Sequence, residues 1–111
     1  MKTLIPAIIA SVVVLFISCR SSFNNFPPPI TANMAKMGGT VATVETLDHG
    51  RRIFASRCIE CHVLPPISNY AADRWPKIVN WMGPRASLKP AEREAVIAYI
   101  LAAHKQSAES K

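Results

Sequence analysis

Two thiols and an imidazole stand within five residues, Cys58-Ile59-Glu60-Cys61-His62. Cysteines three apart with a histidine directly after the second have the spacing of a covalent c-type haem attachment. Each thiol adds across one vinyl group of the porphyrin, and the imidazole comes up under the iron as proximal ligand. One helical turn suffices to place all three. The same pair of thiols, left bare, would be a thiol–disulfide centre. That chemistry expects a strand before the pair, as in a thioredoxin-like unit, whereas here the pair closes a helical pattern.

Three helical stretches would have to position this motif. The first runs from Thr46 or Asp48, either able to cap it, through Leu47, Gly50, Phe54 and Cys58, spaced three or four apart on one face. Pro65-Pro66 ends that region, since proline cannot continue a helix and forces extended geometry before it. The second covers Asp73 to Met82, with Pro76 in its first turn and Ile78, Val79 and Met82 on one side, and Gly83-Pro84 breaks it. The third and clearest runs from Pro90 to His104, acidic in its first turn, with Val96, Tyr99, Ile100 and Ala103 as its buried stripe. Met82, a soft gap-filler by type, is a core residue on its own pattern. Four other residues with ligand chemistry, His49, His104, Met34 and Met37, sit too close to the motif, too near the end, or on the segment read as a linker.

With these residues in view, the stretch 47–105 resembles the class I (mono-haem) cytochromes c, in their small bacterial membrane-anchored form. Those proteins carry a glycine eight residues before the first haem cysteine and an aromatic four before it, and Gly50 and Phe54 hold these positions. They also place a methionine before a Gly-Pro turn, as Met82 stands twenty residues after His62. The resemblance implies an all-α cytochrome c fold of three to four short helices wrapped around one covalently bound haem. It makes Cys58 and Cys61 the covalent sites, His62 the proximal and Met82 the distal iron ligand. It further implies that Gly50 lets the last helix cross closely against Val96 and Tyr99. A carbonyl at Leu64 or Pro65 would take the other N–H of His62. Trp75 and Trp81 would wall the crevice, with the Trp75 indole N–H near a haem propionate. Lys89 departs from the pattern, standing at a cap where serine or threonine is usual.

The N-terminus carries an address. Met1-Lys2 precedes an apolar run from Leu4 to Ile17, short for a membrane span of about 20 residues but suited to a secretory signal. Leu15-Phe16-Ile17-Ser18-Cys19 resembles a bacterial lipobox, which implies lipidation of Cys19; an uncleaved signal anchor is the rival. Either puts the domain in the periplasm or on the outer side of the cytoplasmic membrane, where haem is joined to thiols. It also explains three cysteines without a disulfide. The expected organisation is a lipoprotein-type signal peptide at 1–18, a lipid-anchored flexible linker at 19–46, the cytochrome c domain at 47–105 and a disordered tail at 106–111. The linker reading rests on Pro27-Pro28-Pro29 and Gly38-Gly39.

The net charge of +6 is spread singly, not gathered in a stripe with interleaved aromatics, so no nucleic acid is expected. A basic surface suits an acidic redox partner, as donor or acceptor. The function expected is one-electron transfer with no turnover and no small-molecule substrate, because His/Met ligation closes both faces of the iron. A five-coordinate haem enzyme or gas sensor is the alternative if Met82 does not ligate.

Overall fold

The computed structural model describes residues 26–37 and 42–111. Among these residues four α-helices lie in chain order, α1 (Ala32–Met37), α2 (Val44–Ser56), α3 (Trp75–Met82) and α4 (Pro90–Glu109). Three single 3₁₀ turns, Cys58–Glu60, Ile67–Asn69 and Ala72–Arg74, complete the path. There is no strand among the described residues, so the all-α expectation holds.

The α2–α4 pair is the centre of the fold. Thr43 starts α2, its Oγ1 accepting the Thr46 N–H at 3.2 Å, so the helix opens before the cap expected at Thr46 or Asp48. Leu47, Gly50, Ile53 and Phe54 are its buried face. At Gly50 an added Cβ would run into the Ala95 carbonyl of α4 and sit 3.0 Å from Tyr99 Cβ. The missing side chain therefore lets the two backbones touch, which offsets the helix penalty of about 1 kcal/mol for glycine. Val96 and Tyr99 are fully buried, with Phe54 and Tyr99 ring centroids 6.1 Å apart.

Pro90 opens α4, and Glu92 Oε2 accepts the Lys89 N–H at 2.7 Å. A lysine amine has no lone pair to return the second bond of a capping box, so Glu92 supplies the cap alone. At the other end α4 runs on through Glu109, where a disordered tail from 106 was expected. No glycine or proline interrupts Lys105 to Glu109, and Gln106 Nε2 donates to Thr31 Oγ1 at 3.1 Å.

The larger departure concerns the linker. Residues 26–37 lie on the domain instead of leading away from it. Arg51 donates from Nε to Pro28 O and from Nη2 to Pro27 O, both at 2.9 Å, and Tyr99 Oη donates to Pro28 O at 2.6 Å. Phe26 meets Phe54 edge-on at 6.1 Å. Met34 of α1 is fully buried in the same core as Leu47 and Ile100. The extended proline run was foreseeable, but its carbonyls are held by partners 23 to 71 residues away.

Trp75 anchors α3, fully buried and donating Nε1–H to Ile67 O at 3.0 Å. After Met82 the chain turns tightly. Its carbonyl accepts from the N–H groups of Arg85 (3.0 Å) and Ala86 (3.1 Å), and Leu88 N donates to Gly83 O at 2.9 Å. Ser87 sits at φ 54°, a left-handed conformation costing a non-glycine residue about 1–2 kcal/mol. Buried Leu88 closes the turn onto the core.

Candidate functional site

Cys58 and Cys61 come from the end of α2, where the helix tightens into the 3₁₀ turn at Cys58–Glu60. Met82 comes from the end of α3. Both segments line one cleft of about 440 Å³, together with His62. That volume falls in the range of about 300–1,000 Å³ typical of ligand sites. Its walls are apolar, from Phe54, Leu64, Ile78, Val79, Leu88 and Val96, and the charged groups lining it are Arg57, Arg74 and Arg85. No carboxylate among the described residues lines it.

His62 is exposed, and its Nδ1 lies 2.9 Å from Val63 O. The acceptor is thus the adjacent residue's carbonyl, not Leu64 or Pro65. With Nδ1 as the donor, Nε2 keeps its lone pair for a metal. Burial pushes the Cys58 thiol up, with Arg57 pulling it down and Glu60 adding to the rise. A raised thiol is the reverse of what a nucleophilic cysteine requires. Cys61 is exposed, and both cysteines are free.

Of the residues singled out in the sequence, Cys58, Cys61, His62 and Met82 are brought together. Trp75 is not. It does not line the cleft and its indole N–H is already given to Ile67 O, so it has no donor left for a propionate. It stands behind the wall, its ring 6.3 Å from Phe54 and 5.5 Å from Tyr70, both of which line the cleft. Trp81 does line it, largely exposed, with the Arg85 guanidinium carbon 4.1 Å from its ring centroid. Met34 and Met37 lie outside the cleft, as does exposed His49. His104 Nε2 is 3.1 Å from Tyr70 O. Cys19 and the signal segment lie outside the described residues. The three arginines went unremarked as a set because they are scattered at 57, 74 and 85, and only the fold gathers them.

Among the described residues no three His, Cys, Asp or Glu side chains gather as a site for a bare cation, and no helix is long and apolar enough to cross a membrane. The donor set suits a haem: two thiols and an imidazole on one segment, a thioether on another, apolar walls between them and arginines to meet two propionates. No family model, curated protein or solved structure matches the chain.

Proposed function

We propose that the chain is a one-electron carrier built on a single covalent c-type haem. The observation that carries this reading is the convergence of Cys58, Cys61, His62 and Met82 on one apolar cleft from segments twenty residues apart. Cys58 and Cys61 hold the group by thioether bonds. His62, oriented through Val63 O, and Met82, at the end of α3, would be the residues that ligate its iron. When bound, the haem supplies reversible one-electron chemistry, with His/Met ligation raising its potential relative to two histidines. The apolar walls would hold water away, and Arg74 and Arg85, the two lining arginines not paired with a carboxylate among the described residues, would offer positive charge to the propionates. With both His62 and Met82 on the iron no position would remain for a substrate, so the chain would act without turnover between redox proteins, the basic surface favouring acidic ones. The lipobox-like Ile17-Ser18-Cys19 and the apolar run before it support a lipid-anchored position in the periplasm or on the outer side of the cytoplasmic membrane.

The test is the full chain expressed with its signal in a host that attaches haem. A pyridine haemochrome assay and the intact mass should report one covalent haem; its absence with both thiols free refutes the reading. Met82→Ala should lower the potential and open the ferrous iron to carbon monoxide. Ready binding of carbon monoxide by the unaltered protein at neutral pH would replace the carrier by a five-coordinate haem enzyme or gas sensor.

A further inference from the structure

Arg57, immediately before the first motif cysteine, is used more fully than any other side chain near the cleft. Its Nη2 donates to Ala86 O at 2.9 Å and to Ser87 O at 2.8 Å, while Nη1 donates to Glu92 Oε1 at 3.0 Å. Ala86 and Ser87 belong to the turn by which the chain leaves Met82, and Ser87 is the residue held in left-handed backbone. Glu92 stands in the first turn of α4, its other oxygen taking the Lys89 N–H at 2.7 Å. Those contacts, the Lys89 N–H first, hold its carboxyl below the usual range, so it stays an anion for Arg57. One planar fork therefore joins three separate segments: the residue before Cys58, the strained turn after Met82 and the start of α4.

We propose that Arg57 is a positioning residue for the distal ligand, fixing Met82 relative to the thiol-bearing turn. The inference rests on the haem reading above and adds to it what holds the sixth ligand in place. Met82 is only half-buried and ends its helix, so its place depends on the turn that follows it. That turn is tied internally by the Met82, Gly83 and Pro84 carbonyls, and to the thiol-bearing segment through Arg57. The planar geometry matters as much as the charge. A lysine is a point donor on a flexible stem and cannot serve two carbonyls and a carboxylate in one fixed plane.

The experiment measures imidazole binding to the ferric holoprotein in the unaltered chain, Arg57→Gln, Arg57→Lys and Met82→Ala. Loss of a charge-assisted hydrogen bond to the turn should let imidazole displace Met82 more easily. Both Arg57 variants should bind it about tenfold more tightly, the equivalent of about 1.4 kcal/mol. The methionine-ligated visible spectrum should weaken in step. A side chain that only stabilised the fold would lower the denaturation midpoint and leave imidazole affinity unchanged. Affinity in Arg57→Lys equal to that of the unaltered protein overturns the proposal, and this variant decides the matter if Arg57→Gln does not fold. If Met82→Ala also leaves the affinity unchanged, or if no haem is attached, it is the Met82 or haem reading that falls, and this inference with it. If Met82→Ala responds and both Arg57 variants do not, the positioning role alone is refuted.

Discussion

Met34→Ala is the sharpest test of where the folded body begins. On a solvated tether, truncating a methionine changes stability by no more than about 0.5 kcal/mol. Met34 is instead fully buried on α1, in the core that holds Leu47 and Ile100. Removing a buried methionine to alanine costs about 2–5 kcal/mol, the spread reflecting how far the surroundings collapse into the gap. α1 has six residues and packs on both α2 and α4, so it can settle inward by a small shift. This favours the lower half of the range, about 2–3 kcal/mol. The contact from Thr31 N–H to Sδ at 3.5 Å adds little, sulfur being a weak acceptor. For a domain of this size such a loss lowers the melting temperature by roughly 10 °C or more. Guanidinium unfolding of the full chain followed by circular dichroism should show a lower midpoint at constant slope. A midpoint shift worth less than about 0.5 kcal/mol would mean that residues 26–37 are a tether after all.

Other consequences are direct. Gly50→Ala should destabilise although alanine is the better helix former, because the new Cβ meets the Ala95 backbone. A gain of about 1 kcal/mol in propensity is set against an overpacking cost in the upper part of the range of about 1–3 kcal/mol, for a net loss of about 1–2 kcal/mol by denaturant titration; a stabilised variant would refute the close crossing. Burial pushes the Tyr99 phenol up to about 12, against the opposing pull of Arg51. Its unfolded value is lower, so the stability this burial gives is complete below about pH 10 and is lost as pH rises towards about 12. Tyr99→Phe should show a shallower alkaline decline than the unaltered chain, and equal slopes would count against it. Phe54→Ala should cost about 3–5 kcal/mol and, on the proposed haem reading, also alter the visible spectrum, since the ring lines the cleft, whereas Met34→Ala should leave that spectrum alone.

The sequence was most legible where local rules and tertiary contacts agree. The period of Leu47, Gly50 and Phe54 and the stripe of Val96, Tyr99 and Ile100 predicted the buried faces of α2 and α4, and a lone glycine inside a helix pointed to a close crossing. Cys58, Cys61 and His62 were legible by side-chain chemistry and spacing and Met82 by the resemblance, and the fold lines one cleft with all four. Two kinds of feature were not. The proline run read as a linker because its partners, Arg51 and Tyr99, are remote and nothing local announces a carbonyl's acceptance. Trp75 read as a propionate donor because an indole N–H near an arginine suggests one, while the Ile67 carbonyl that takes it is placed only by the loop's path. The length of α4 was underestimated for a related reason. His104 and Lys105 make a reasonable helix end, but a favourable terminal residue does not terminate a helix when the next residues can continue it.

Phe54 shows why the linker and the site cannot be treated apart. Its ring meets Phe26 of the proline segment at 6.1 Å, Tyr99 of α4 at 6.1 Å and Trp75 of α3 at 6.3 Å, and it also lines the cleft. Tyr99 in turn bonds Pro28 O and packs on Phe54, so the segment reaches the cleft wall through Phe54 and, behind it, Tyr99. In a domain this small few core residues lie far from a surface, and one ring has to serve several interfaces. Such a ring is held only when all its sides are occupied, since packing gaps forfeit dispersion contacts. Seating residues 26–37 therefore stiffens the wall against which a flat apolar cofactor would rest. The converse holds as well: filling the cleft restrains Phe54 and, through it, the contact with Phe26. What the sequence presented as a tether followed by a separate domain is, over the described residues, one packed unit in which tether residues 26–37 brace the wall of the cleft.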